Sequence, residues 1–227
     1  GKERKNMAFG AIMNISDGGR TISLAPFTRE ESLEFISPGM QQLKVTKYLS
    51  RHTAPVQDDE YEWYDKVRKA SDQIVWGIWI EKGGTRELIG NTTLLGVAYS
   101  HTNQATSGIQ INKPEYWGQG IASLAHKART WYAFEVMGLH RIKSAVIQGN
   151  IASLKALEKV GYTHVYTERN DVFVDGVLRH TDKLELLNPS ELSWQLWWGD
   201  ETPTEAAVSA RVRTQEALKW ARNTLDV

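Results

Sequence analysis

Cysteine is absent from the 227 residues, which removes disulfides, thiolate metal sites and a cysteine nucleophile together. Net charge is absent as well. Lys and Arg total 27 and Asp and Glu total 27, so the chain lacks the basic excess that a broad nucleic-acid footprint needs. No apolar run approaches the roughly 18 residues of a membrane-crossing helix, and no basic-then-apolar leader opens the chain. The expectation is a soluble cytoplasmic protein with neither nucleic acid nor membrane as partner. The six histidines fall at 52, 101, 126, 140, 164 and 180 with no i, i+4 pairing, so no metal is expected. Repeats and low-complexity runs are missing too. Gly1 in place of Met reads as a processed start. Asn91-Thr92-Thr93 matches a glycosylation sequon and, without a secretory signal, reads as strand sequence.

What is present is enough chain for one domain and an extension. Residues 1–18 are polar and aperiodic and read as a frayed arm. Arg20 to Phe27 alternates as a first strand, and Arg29 to Ile36 reads as a short helix with acids in its first turn. Residues 39–56 carry no firm pattern, and Asp58 to Ser71 reads as a second helix. Gln73 to Glu81 and Glu87 to Val97 are predicted strands joined by Lys82-Gly83-Gly84-Thr85. The first is apolar on both faces and is expected at the centre of a sheet. After Tyr162, β-rich segments are broken by Asn170-Asp171 and Asp175-Gly176, both turn signals. From Pro189 the chain changes character. Trp194, Trp197 and Trp198 cluster, and Thr202-Pro203-Thr204-Glu205 reads as a capping box. The helix that follows carries Ala207, Ala210, Thr214, Leu218, Ala221 and Leu225 on one face. This tail either docks on the chain's own domain, forms a homodimer contact or covers a substrate site.

The chain is organised around 109–161. Gly108 to Asn112 alternates as a strand, Pro114 stops it, and Trp117-Gly118-Gln119-Gly120-Ile121-Ala122 leads into a helix with the stripe Ile121, Leu124, Ala125, Ala128, Trp131, Tyr132. A strand, a Gly-rich turn and a helix start form a phosphate cradle, because glycines admit close approach and the amide N–H groups converge at the positive end of the helix dipole. A tight connection built for packing would show the same residues. Downstream, Gly138 reads as a helix stop and His140 to Ile147 as a strand. Asn150 caps a helix with the stripe Ile151, Leu154, Leu157, Val160, ending at Gly161-Tyr162.

Trp-Gly-Gln-Gly-Ile-Ala, followed about thirty residues later by Asn-x-x-Ser-x-x-x-Leu-x-x-x-Gly-Tyr, resembles the GNAT superfamily of acyl-CoA-dependent N-acetyltransferases, and within it the RimJ/RimL-like branch. The resemblance covers roughly residues 20–187. It implies an α/β (α+β) GNAT fold: a mixed sheet of six to seven strands with helices on both faces, spanning 19–188, with 189–227 as a helical extension. It implies acetyl-CoA as cofactor, with Gly118, Gln119, Gly120, Ile121 and Ala122 on the pyrophosphate. Trp117 stands where the family usually has Arg or Gln. Ile111 and Asn112 would pair with the pantetheine arm, the Ile111 N–H would polarise the thioester carbonyl, and Asn150 would contact the cofactor. Many members carry a Tyr seven residues after that Asn to protonate the leaving thiolate; here Leu157 stands there, so Ser153 is the first choice for that role and Tyr162 the second. Ser153 could equally be a solvent-side or backbone-bonded serine, and Tyr162 a core aromatic. Residues 39–56 would line the acceptor site.

The general base is open. Glu115, His101, His140, Glu168 and Asp171 are all candidates, and Ser107 stands where relatives often have Glu. A neutral Lys amine at pH 7 costs about 3.5 kcal/mol more to present than a neutral α-amine, from pKa values of about 10.4 and 7.7–8.0. A site without a carboxylate base therefore suits an α-amine. The leading expectation is acetyl transfer to a protein N-terminal α-amine of the ribosomal-protein type. A small amine, antibiotic or amino sugar is the alternative acceptor, for which Asp58-Asp59-Glu60-Glu62 could edge an acidic cleft or be a solvated helix start. A non-catalytic acyl-CoA-binding module is the alternative of a different class.

Overall fold

The computed structural model describes residues 8–100 and 102–227. They divide into two compact units, one of 8–97, 107–121 and 225–227 and the other of 98–100, 102–106 and 122–224. Among the described residues eight strands follow the order β1-β2-β3-β4-β5-β6-β8-β7, one more than the largest number expected. The extra strand is β1 (Met13–Asp17), inside the segment expected to fray. Met13 and Ile15 are buried, β1 pairs with β2 (Arg20–Ala25) through a two-glycine turn, and its other edge exchanges backbone bonds between Asn14 and Asp226. Two alternate apolar side chains in a five-residue run are too short a periodic signal to stand out from noise.

In the first unit, β3 (Ile74–Lys82) lies between β2 and β4 (Thr85–Ala98), and its first seven residues are buried. That matches its two-faced apolar sequence. Its tryptophans spend their single donors on backbone oxygens, Trp76 on Ala11 O at 2.9 Å and Trp79 on Pro26 O at 3.3 Å, so neither is buried with an unmade bond. Against β3 sit a one-turn helix at Glu31–Ile36, the short α1 (Leu43–Thr46) and α2 (Gln57–Arg68). Phe27 is the hub of their packing, edge-on to Phe9 at 5.2 Å and Phe35 at 5.1 Å and stacked on Trp63 at 6.0 Å. Each such ring pair adds about 0.5–1.5 kcal/mol to its area burial, and together they hold α2 in place. The α2 N-terminus is closed by Asp59, whose carboxylate accepts the Val56 N–H at 2.8 Å.

Strand β5 (Gln104–Ile111) takes part in both units. In the second it pairs parallel with β6 (Arg141–Ile147) over Gln104–Thr106. Helix α3 (Ile121–Trp131) ends in a wide turn at Tyr132–Val136 and stops at Gly138, φ +70°. Ile121, Ala125 and Ala128 of the expected stripe are buried and Leu124, Trp131 and Tyr132 half-buried, but His126, Arg129 and Thr130 lie inside as well. Arg129 Nη2 bonds His126 Nδ1 at 2.7 Å and the Tyr162 hydroxyl at 3.2 Å, a buried polar cluster that hydrophobic periodicity cannot reveal. Burial, then the nearby Arg129 cation, hold the His126 imidazole well below its ordinary pKa.

Helix α4 (Ile151–Val160) leads to β7 (Thr163–Val174) and β8 (Val177–Leu187). Asp175-Gly176 is the hairpin turn, whereas Asn170-Asp171 is a bulge inside β7, with Asn170 at φ +49°. Both were predicted as turns; bulges and turns draw on the same residue types. The tail forms α5 (Glu191–Trp198) and α6 (Glu205–Thr224). The cap of α6 is Thr204, which accepts the Ala207 N–H at 3.1 Å, two residues later than the box expected. Helices α5 and α6 dock within the second unit. Thr214 Oγ1 donates to Val160 O at 2.9 Å, Arg213 Nε donates to Glu158 O at 2.9 Å, and Arg guanidinium groups cover the indoles, Arg211 over Trp194 and Arg141 over Trp197. Among the described residues no helix is long and apolar enough to cross a membrane.

Candidate active site

In the first unit the turn after β5 is built as a cradle. Gly118 and Gly120 sit at φ +72° and +78°, a region that side chains with a Cβ enter at a cost of about 1 kcal/mol or more. A Cβ added at either would meet nothing within 4 Å, so these glycines are required by backbone conformation and leave open space before them. Residues 117–120 are exposed, and the chain then enters α3 at Ile121. Converging N–H groups at a helix start, with free approach, suit the diphosphate of a nucleotide cofactor.

Arg20, which the sequence reading passed over, braces this turn. It donates through Nη2 to Gln119 O at 3.1 Å and through Nη1 to the Gln119 side chain, while Nε pairs with Asp17 at 2.9 Å. Gln119 in turn donates to Glu115 O at 2.9 Å. The approach to the turn is pinned by charge: Lys113 Nζ lies 2.8 Å from Glu34 and 2.7 Å from Glu87, and the Tyr116 hydroxyl donates to Glu87. Burial pushes the Glu87 carboxyl up, but the bonds from Lys113 and Tyr116 outweigh it and hold it below the ordinary value. The same bond to Glu87, aided by burial, pushes the Tyr116 phenol up to about 12. A carboxyl with a lowered folded pKa contributes stability above its unfolded pKa and loses it as pH falls through the folded value. Glu87→Gln is therefore expected to flatten the acid side of the stability curve below about pH 4.5, read as melting temperature against pH. An unchanged acid limb would show that this network does not hold the approach.

Trp117 fills the place of a polar family residue with a different task. Its indole Nε1 donates to Ile111 O at 2.8 Å, tying the turn back to β5. The Ile111 N–H is differently placed. Asn112 N donates to Ile89 O on β4 at 3.0 Å, so by strand alternation the preceding N–H points to the other side of β5. Asn112 turns its side chain inward. It is fully buried, its Nδ2 donates to Glu34 O at 3.1 Å, and a Cβ on Gly39 would come within 2.9 Å of it. Its side chain ties down the helix at Glu31–Ile36 and packs closely on Gly39.

The first unit also contains a cavity of about 370 Å³, walled by Phe35 and Trp63, by Asn91 and Gln110, and by Arg51 and Glu60. Asn91 lies on β4 as strand sequence, as the sequon reading expected. Glu60 is 7% exposed. Burial pushes its carboxyl up to about 7, with Arg51 pulling it down and Asp59 adding to the rise. Its acidic neighbours gave the appearance of a solvated helix start, and only the side-chain direction singles it out.

The second unit holds Ala122, Asn150, Ser153 and Tyr162. Asn150 Oδ1 accepts the Ser153 N–H at 3.4 Å, as a helix cap. The Ser153 hydroxyl is half-buried and bonds to none of the described residues. Tyr162 is 1% exposed with its hydroxyl on Arg129, which is the core position. Among the base candidates, Asp171 accepts from Thr181 at 2.6 Å, His140 bonds Ser193 at 2.6 Å, and Glu168 faces Lys183 at 3.7 Å. Glu115 is exposed. His101 lies outside the described residues.

Residues 22–163 match the family model described as acetyltransferase (GNAT) domain. The probable N-acetyltransferase YjcK of Bacillus subtilis (strain 168) is 28% identical over 151 residues, 66% of this chain and 73% of that one. Two solved structures share the fold. Spermidine N-acetyltransferase from Vibrio cholerae, in complex with CoA and spermine, aligns with TM-score 0.65 and 22% identity over 78% of this chain and 99% of that one. Ribosomal-protein-S5-alanine acetyltransferase from Vibrio fischeri aligns with TM-score 0.63 and 14% identity over 84% and 99%.

Proposed function

Since the chain belongs to the GNAT acetyltransferase family, acyltransferases whose donor is acetyl-CoA, we propose that its acceptor is a primary α-amine, that of a protein N-terminus. The donor half of this reading is carried by the open, positive-φ turn at Gly118 and Gly120 leading into α3. The RimJ/RimL-like motif and the similarity to a ribosomal-protein alanine acetyltransferase support the acceptor. A second reading, a small amine, is favoured by the compact cavity beside Glu60 and by the similarity to spermidine N-acetyltransferases. Glu60 also removes the earlier argument for an α-amine from the lack of a carboxylate base.

Bound acetyl-CoA supplies an acetyl group on a thioester. The N–H groups of Gly118 to Ala122 would take its diphosphate, with the Arg20 cation bracing the turn. The Ile111 N–H donates to the carbonyl oxygen where negative charge develops. Ser153 Oγ holds the proton for the departing sulfur, and Asn150 orders the start of α4 that carries Ser153. Tyr162 serves the core.

Free-thiol release from acetyl-CoA tests the reading against peptides with free N-termini, peptides whose only amine is a lysine Nε, and small amines. The expected result is turnover on free N-termini that Ser153→Ala reduces about 100-fold or more, the scale of a lost acid. Turnover confined to small amines would sink the protein-terminus acceptor, and a fully active Ser153→Ala would sink the role of Ser153.

A further inference from the structure

Glu60 combines three properties. It is a carboxyl buried at 7% exposure, it lines a cavity of about 370 Å³, and it has no hydrogen bond or ion pair from its side chain to any described residue. No fully enclosed Glu60 oxygen is left without a partner, so its carboxylate opens onto the cavity, where a group of a bound molecule can reach it. The walls opposite do not supply the partner. Phe35, Trp63 and Val75 are apolar, and β4 and β5 present neutral Asn91, Thr93 and Gln110. Among the described residues, two charged groups face the cavity with it: Arg51, exposed, from the loop before α2, and Asp59, its neighbour on α2. Gln110 precedes Ile111 on β5.

We propose that Glu60 receives the acceptor's ammonium group and takes its proton, and that the acceptor bears a single primary amine beside an apolar group. This rests on the acetyl-transfer reading above. Phe35 and Trp63 supply the surface for the apolar group, and a primary ammonium supplies the partner that Glu60 lacks. A polyamine fits poorly, since each further ammonium needs its own carboxylate. Asp59 already accepts the Val56 N–H, and the Arg51 cation offsets one of the two carboxylates, leaving net negative charge for a single ammonium. In the step itself, the Glu60 carboxylate removes one proton from R–NH₃⁺ and passes it to solvent. The freed nitrogen bonds the acetyl carbon, the C–S bond breaks, and the second proton leaving nitrogen goes to sulfur. One ammonium and one thioester thus give one acetamide, one thiol and one solvent proton. A carboxyl raised to about 7 is matched to that task at neutral pH.

The test compares 2-phenylethylamine, a tripeptide with N-terminal phenylalanine and spermidine, in wild type, Glu60→Gln and Glu60→Asp. Thiol release is followed from pH 5.5 to 9, and acceptor binding without donor by calorimetry in two buffers of different ionisation heat. Wild type is expected to prefer one of the two singly charged amines over spermidine by about tenfold or more, and which one it prefers separates a free monoamine from a peptide terminus. At pH 7 its binding should release about half a proton, because a group with a pKa of about 7 is half protonated there. Glu60→Gln should leave acetyl-CoA affinity unchanged, abolish that proton release, lower kcat/KM about 100-fold and erase the rate limb near pH 7. Glu60→Asp should restore the limb in part. A limb or proton release that survives Glu60→Gln, or a preference for spermidine, overturns the proposal. Wild type that fails to bind acetyl-CoA defeats the donor reading instead, and the proton count on the acceptor alone still judges Glu60.

Discussion

Gly161→Ala will destabilise the protein by about 3 kcal/mol or more, among the larger effects a single methyl produces. Gly161 ends α4 at φ +115°, ψ +13°, beyond the left-handed region where L residues settle at φ of about +50 to +70°. The new Cβ would overlap Thr214 Oγ1, lie 2.7 Å from Ala210 O and 3.3 Å from Leu186 Cδ1. Thr214 cannot simply turn away, because its hydroxyl bonds Val160 O at 2.9 Å and Ala210 O at 3.0 Å. Backbone on α6 must move, and with it the face carrying Ala210, Thr214, Ala217, Leu218 and Ala221. For a chain of this length about 2–4 °C accompanies each kcal/mol, so a drop of roughly 6–12 °C in melting temperature is expected. Gly138→Ala is the control. It shares a positive φ, +70°, but meets nothing within 4 Å, and about 1 kcal/mol of strain is all it should show. Equal shifts in the two variants would mean that α6 does not pack on the end of α4 as described.

The second large effect concerns binding. Gly118→Ala combined with Gly120→Ala is expected to raise the acetyl-CoA dissociation constant about 10- to 100-fold. Neither methyl meets an atom of the protein, so the loss comes from conformation. Two residues held at φ +72° and +78° would relax away from that region to relieve about 1–2 kcal/mol each, and the N–H groups would cease to converge. Calorimetric titration with acetyl-CoA reads the loss directly, alongside a melting curve to show that the fold persists. An unchanged dissociation constant would remove the turn from the diphosphate site and return it to a packing connection. Trp117→Phe should matter less, since it deletes one bond to Ile111 O and leaves the glycines in place.

Some features of this protein could be read one residue at a time. The strand–turn–helix at 108–131 announced itself because glycine, proline and a period of two giving way to 3.6 are local signals. So did the centrality of β3, whose unbroken apolar run has no polar face to show to water, and the cap at Asn150, whose partner is three residues away. These suffice, with the paired motifs, for the GNAT fold, the family and the donor. The tail's helix was legible from its apolar face, though its cap lies two residues past the predicted one, because Thr202 and Thr204 offer the same chemistry and only packing chooses between them.

What the tertiary structure decided are the matters in which distance along the chain and distance in space part company. Arg20 lies 99 residues from the Gln119 it braces, and Lys113 joins Glu34 to Glu87 across strands. No local pattern encodes such pairs. The Asn112 side chain is held inside by Glu34 O and Gly39, 78 and 73 residues earlier in the chain. Above all, Glu60 stands in a run of acids that the helix dipole alone explains. Its neighbours Asp58 and Asp59 stay in solvent while its own side chain is buried, a difference of about 100° of helix rotation per residue. Which carboxylate faces the aromatic wall is settled by how Phe27, Phe35 and Trp63 pack α2 against β3. The sequence by itself determined the donor chemistry, because that is written in backbone conformation. The shape and charge of the cavity beside Glu60 belong to packing.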